Sequence, residues 1–232
     1  MSAVQLGGLP GICFVREPEA RYALFQSWLE TLLYKDLLIF KIPQFNPDRA
    51  YQILEACAQL HLPNLTELSR HLELDPRRVK HYLDAFSAVF VTYELPPYRG
   101  GTGKSRFCLF DSGLATHLGA PFETAALVRL INDIYSTFEA AGLKKPILQS
   151  YRSAAGSRMD LVLPQAQGPI GFVIRDTDQI NPFALRGAAA FVKKYPKGKA
   201  VIFCPATERI QVEPLVEIVP WTRSPEFIQS LR

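Results

Sequence analysis

The chain has 232 residues and is 48% hydrophobic, and its 26 Lys and Arg against 22 Asp and Glu give a net charge of +4. That is enough apolar material for two modest cores or one large one. No run of about 18 apolar residues exists to span a bilayer, and the opening MSAVQLGGLPG lacks the charged start and long apolar core of a signal peptide, so a soluble, cytoplasmic protein with no membrane partner is expected. Cys13, Cys57, Cys108 and Cys204 stand far apart with no C-x-x-C pair, which points to buried free thiols rather than a zinc site or a disulfide framework.

In chain order, residues 21–40 place Leu24, Phe25, Trp28, Leu29, Leu32 and Leu33 on one stripe of an amphipathic packing helix. Pro47 can open the next helix at its first turn, with Ile53, Leu54, Cys57 and Leu60 on its buried face. Asn64 followed by Glu67 has the spacing of a capping box, in which each end satisfies the other's backbone donor. Asp75 and Pro76 then cap and start a second helix, with Val79, Tyr82, Leu83 and Phe86 inward and Arg77, Arg78, Lys80 and His81 outward. In helix-turn-helix proteins the start of that second helix enters the major groove, where Arg reaches guanine and Lys or His reaches phosphate.

Residues 89–119, VFVTYELPPYRGGTGKSRFCLFDSGLATHLG, read as a two-stranded hairpin with a basic tip. Together with the preceding helices the spacing fits a winged helix-turn-helix, and Arg99, Lys104 and Arg106 become wing residues available to a phosphate backbone. The GGTGKS run inside it imitates a nucleotide-binding loop but fails. The pattern requires glycine where Tyr98 stands and a helix immediately afterwards, where a strand is expected.

From Pro121 the pattern changes. Residues 122–141 form a long helix with Leu127, Leu130, Ile131 and Ile134 inward and Gly142 at its C-cap. Strands are expected at 147–152, 159–163 and 170–175, a helix at 182–195, a strand at 200–204 and a short one at 216–219. Helix, three strands, helix, strand is an α/β arrangement with a mixed sheet. Residues 140–200 hold ten Lys and Arg against three acids, a net +7, while residues 1–63, 64–139 and 201–232 each net −1. A basic block in a nearly neutral chain favours a polyanionic partner.

The run GGLPG, the helix LETLLYKDL, the stretch YELPPYRGGTGKSRFCLFDSGLA, the helix with Phe122 and Glu123, and the strand SRMDLVL together resemble the family known as domain of unknown function 4143. The resemblance covers roughly residues 7–205. It implies an α+β chain: a helical and winged helix-turn-helix domain over 1–119, then a domain over 120–232 similar to the restriction-endonuclease-like PD-(D/E)XK fold. Such regions normally follow an AAA-type ATPase module. That module is missing from this sequence, no phosphate-binding loop for ATP is present, and the early GGLPG suggests that something once preceded it.

When such a nuclease-like fold is active, carboxylates hold Mg²⁺ and a Lys orients the attacking water. The resemblance aligns Glu123 with the helix acid and Asp160 with the second-strand Asp. On the third strand the pattern breaks: Val173 stands at the metal-binding acid and Arg175 at the Lys. Val ligates nothing, and Arg stays protonated. Asp176 and Asp178 lie just past the strand, where a continuing strand would turn Asp176 to the wrong face. Glu123, Asp160, Val173 and Arg175 therefore read as vestigial, with no catalytic residue, metal site or cofactor.

The favoured expectation is a DNA-binding protein that performs no reaction. The alternatives are a protein-interaction or oligomerisation module, as a homodimer or as partner of a separately encoded ATPase, and a Mg²⁺-dependent nuclease with a rearranged site.

Overall fold

A computed structural model describes residues 3–179 and 182–231. The chain divides into two compact units, residues 1–94 with 106–129, and residues 95–105 with 130–232. The later division, between residues 129 and 130, falls inside the helix Phe122–Ala140, and the hairpin tip belongs to the second unit.

The first unit begins with a short helix α1 (Ala3–Leu6) and the long α2 (Pro18–Tyr34), which is capped by the Glu17 carboxylate and buries Phe25, Leu29, Leu32 and Leu33. The helix expected to continue to residue 40 ends at Lys35. There the backbone turns away (φ −128°, ψ −61°) and tightens into a 3-10 turn, Asp36–Phe40, that buries Leu37 and leaves Leu38 and Ile39 exposed. Leu24, assigned to the buried stripe, is exposed.

Three short helices follow, each started by a side chain that the sequence advertises. Asn46 accepts from the Arg49 amide ahead of α3 (Pro47–Gln59). Asn64 and Glu67 form the expected capping box on α4 (Leu65–Leu72), with both hydrogen bonds at 2.9 Å. Asp75 accepts from the Arg77 amide at 2.8 Å to start α5 (Pro76–Ala88). Each cap answers an amide that the helix cannot pair internally. Val79, Tyr82, Leu83 and Phe86 are all fully buried, as the helical period requires.

The hairpin strands are β1 (Thr92–Leu95) and β2 (Arg106–Leu109). β2 has a second neighbour in the segment between α3 and α4: the Phe107 amide donates to the Pro63 carbonyl at 2.9 Å, and Asn64 bridges Arg106 in antiparallel register. All four β2 residues are consequently buried.

The hairpin does not run on to Gly119 as expected. Asp111 instead caps a helix, α6 (Ser112–His117), by accepting from the Leu114 amide at 2.7 Å. Its second oxygen accepts from the Gly8 amide at 2.6 Å. The GGLPG and FDSGLA runs therefore meet on one buried carboxylate. They meet closely: a Cβ on Gly113 would lie 2.7 Å from the Leu6 carbonyl oxygen.

Helix α7 (Phe122–Ala140) crosses from one unit to the other, with Leu127, Leu130, Ile131 and Ile134 fully buried and Gly142 in left-handed conformation beyond its end. The second unit is built on β3 (Gln149–Arg152), β4 (Arg158–Leu163), β5 (Ile170–Ile174), β6 (Lys199–Cys204), β7 (Ile210–Glu213) and β8 (Val216–Pro220). Among the described residues they form a mixed six-stranded sheet in the order β3-β4-β5-β6-β8-β7, parallel across β5, β6 and β8 and antiparallel outside.

Helix α8 (Pro182–Lys194) packs Ala188, Phe191 and Val192 against Val173, Ala200, Ile202, Cys204, Val216 and Ile218 on one face. On the other face Phe172 and Phe203 stack at 6.0 Å under Phe227 of a final helix, α9 (Ser224–Gln229). Neither β7 nor α9 was expected. The sheet's first edge is not open, because the hairpin tip lies along β3: Ser150 donates to the Pro96 carbonyl at 3.0 Å, Tyr98 to that of Ser150 at 2.7 Å, and Thr102 to that of Arg152 at 2.8 Å. No helix among the described residues is long and apolar enough to cross a membrane.

Candidate functional site

Two groups of residues were expected to carry function, and the fold treats them differently. In the second unit, β4 and β5 run antiparallel with Leu161 opposite Phe172. Past that pair the Ile174 amide donates to the Asp160 carboxylate, and the Arg175 guanidinium approaches it. The fold thus brings Asp160 and Arg175 together.

Asp160 is 2% exposed. One oxygen accepts from the Ile174 amide at 3.0 Å and lies 3.6 Å from an Arg175 guanidinium nitrogen; the other lies 3.7 Å from Arg158 Nε. A buried carboxylate needs such compensation, since its desolvation is otherwise prohibitive. Val173 is packed into the apolar core beneath α8. Asp176 and Asp178 follow the end of β5 and are exposed. Glu123 is half-buried in the first turn of α7 and falls within the first unit. Among the described residues no three His, Cys, Asp or Glu side chains converge as metal ligands.

The basic residues of the helical unit separate into exposed and committed groups. Arg77 and His81 are exposed on α5. Arg78 is half-buried, and its guanidinium donates to the Gln44 carbonyl at 2.9 Å. Lys80 pairs with Asp84 one turn along the same helix.

Arg106 does not fit the role expected of it. The residue is 6% exposed, donating to the Leu62 carbonyl at 3.0 Å and to the Glu67 carboxylate at 2.6 Å. It ties β2 to the start of α4, so its charge is spent inside the fold. Arg99 and Lys104 are exposed, but on a tip that is anchored to the second unit.

That anchoring explains the GGTGKS run. A Cβ on Gly100 (φ +75°) would meet the Tyr195 hydroxyl at 3.0 Å, and one on Gly101 would meet the Arg152 carbonyl at 3.0 Å. The glycines permit close packing, and the segment then enters β2 rather than a helix. Lys194 donates to the Gly100 carbonyl and the Tyr195 hydroxyl to that of Arg99. The Tyr195 phenol is a protonated donor at ordinary pH, and desolvation above all, with Tyr151 and Tyr98 beside it, pushes it further above its usual range. Sequence reasoning did not identify Lys194 and Tyr195 as holding the tip; the only hint was their place in the basic block.

Cys57, Cys108 and Cys204 are buried and Cys13 half-buried, all as free thiols. Burial pushes the Cys108 thiol up to about 12 and that of Cys57 higher still, which makes them inert packing groups.

A family model described as a domain of unknown function (DUF8612) matches residues 2–125, a different family of that kind from the one the motifs resemble. Uncharacterized proteins of Mycobacterium bovis and Mycobacterium tuberculosis are each 27% identical to the chain, over 92% of it and 51% of their own length. The chain therefore spans about half the length of the curated relatives it matches.

Proposed function

The chain belongs to the family described as a domain of unknown function (DUF8612), and we propose that it is a DNA-binding protein whose helical unit is a winged helix and whose second unit is a nuclease-like domain that performs no reaction. One observation carries the DNA reading: α3, the Asn64 bridge, α4, α5, β1 and β2 follow the helix and strand order of a winged helix, and Arg77 and His81 stand exposed on its second helix-turn-helix element. That element is the one such folds lay in the major groove.

The order α7, β3, β4, β5, α8, β6 on a mixed sheet supports the nuclease-like reading of the second unit. The surroundings of Asp160 support its inactivity. Its carboxylate is occupied by an amide and flanked by two guanidinium groups, which leaves little reason for it to attract a divalent cation.

The test is fluorescence anisotropy of a labelled short duplex, titrated with the chain from low to physiological salt with Mg²⁺ present. Arg77→Ala/His81→Ala is the informative variant, since neither side chain supports the fold. We expect salt-sensitive binding that the double substitution weakens, with the probe intact afterwards. Equal binding by variant and wild type would remove α5 from the mechanism, and a cut probe would overturn the inactive reading.

A second reading, a protein-interaction module that pairs copies of the chain or meets an ATPase, draws on the exposed Phe14, Ile39 and Phe90 of the first unit, since large exposed apolar side chains favour protein contacts.

A further inference from the structure

The acids of the second unit are absent from a particular set of segments. The tip (residues 95–105), β3 with its following turn (146–158), and α8 with the turn after it (182–199) contain nine Lys and Arg and no Asp or Glu. These segments, far apart in sequence, are the ones that pack on one another. The tip lies along β3 through the Ser150 and Arg152 backbones and is gripped by Lys194 and Tyr195 at the end of α8. Arg158 is turned to Asp160, and Lys199 lies over the Phe227 ring at 5.1 Å. What remains on the outside includes Arg99, Lys104, Arg152, Lys193, Lys194 and Lys197, none of them fully buried.

We propose that the hairpin tip and the end of α8 form a sequence-neutral binding surface for the phosphodiester backbone of duplex DNA, centred on Arg99, Lys104, Arg152, Lys194 and Lys197. The proposal deepens the DNA-binding reading and rests on it. It moves the tip's cations from a wing of the helical unit to a site of the second unit.

Two features select the ligand. Cations assembled from three segments that hold no acid of their own attract a polyanion and gain affinity by releasing its condensed counterions. The aromatic groups beneath them are unavailable for stacking. Tyr98 and Tyr151 are 5% and 2% exposed, and the Tyr195 ring meets Tyr98 edge-on at 5.2 Å with its hydroxyl committed to the Arg99 carbonyl. Single-stranded nucleic acid is held by such rings when they are open. At the tip and the end of α8 the rings are engaged with one another and the cations face outward, while the exposed Phe183 lies at the start of α8, so the surface tracks phosphates and reads no bases.

The test uses the whole chain and two labelled duplexes of unrelated sequence, with affinity measured against salt for wild type, Arg77→Ala/His81→Ala, and Arg99→Ala/Lys104→Ala/Lys197→Ala. The triple variant leaves Lys194 and Tyr195 in place to hold the tip, and circular dichroism verifies its fold. The expected result is a log–log salt slope shallower by about two to three for the triple variant, equally on both duplexes. An unchanged slope in the triple variant, while the α5 variant loses affinity, overturns this surface and leaves the winged-helix reading standing. The reverse pattern keeps the surface and removes α5. No duplex binding by the wild type overturns both, and so does capture of the chain by anionic phospholipid vesicles without capture of DNA.

Discussion

Replacing Arg106 by Met tests whether this cation serves the fold or a ligand. Met keeps an apolar stem of similar length but removes the hydrogen bonds to the Leu62 carbonyl and the Glu67 carboxylate. Leu62 is 3% exposed, so its carbonyl loses a donor that water cannot readily replace, a cost of about 1–3 kcal/mol. The Glu67 side chain is 34% exposed and keeps its bond from the Asn64 amide, so it rehydrates, and the ion pair adds only about 1 kcal/mol after screening. The expected loss is about 2–4 kcal/mol, read from urea unfolding followed by far-UV circular dichroism. The salt dependence of duplex binding by the folded variant should equal that of the wild type. Stability within about 0.5 kcal/mol of wild type, together with a salt slope smaller by about one, would refute the burial argument and return Arg106 to the phosphate backbone.

Two further predictions concern the region around α6. Gly113→Ala should cost about 1–3 kcal/mol, because its Cβ would be forced to 2.7 Å from the Leu6 carbonyl oxygen; urea unfolding measures it, and an unchanged midpoint would mean that the N-terminal segment does not dock on α6. His117 stacks on Phe25 at 5.0 Å, and its pKa is lowered by burial first and by the Arg21 charge second. A lowered folded value means that the unfolded chain binds the proton more readily, so stability is full above the ordinary His value of about 6.5 and falls as pH drops from there through the folded value. Unfolding midpoints measured across that window should decline for wild type and be flatter for His117→Gln; identical pH profiles would contradict the assignment.

What the sequence reveals here is local. Asn46 with Pro47, Asn64 with Glu67 and Asp75 with Pro76 each announce a helix start within four residues, and each forms its cap. What it hides depends on distant partners. Residues 96–102 look like the tip of an independent hairpin until Ser150 and Arg152 supply the hydrogen bonds that enrol them in another sheet. Arg106 sits beside a glycine-rich basic loop and was grouped with it, yet the Pro63–Asn64 segment covers β2 and turns this cation inward. Asp111 follows the apolar run FCLF and reads as part of the hairpin, although its capping of the Leu114 amide depends on nothing beyond three residues. The capping signal is local, but the alternation before it reads as strand. Strand β7 escaped because all four of its residues are exposed, which gives no buried face to detect.

Under the proposed nuclease-like reading, Val173 on β5 and Arg175 just beyond it make physical sense as one change. A nuclease-like site with its metal holds two or more carboxylates because a divalent cation neutralises them. If the acid on the third strand becomes Val173, the remaining Asp160 cannot hold the metal well, and a lone buried carboxylate is intolerable. An Arg two residues along supplies a permanent positive charge, and the guanidinium of Arg175 lies 3.6 Å from Asp160. Lys at that position would be a poorer substitute: it loses its proton more readily on burial, whereas Arg stays charged and its planar fork suits a carboxylate. On this reading Val173 and Arg175 belong together, the first removing the need for the metal and the second replacing its charge. The exposed cations of the unit lie elsewhere, where the tip and the end of α8 meet.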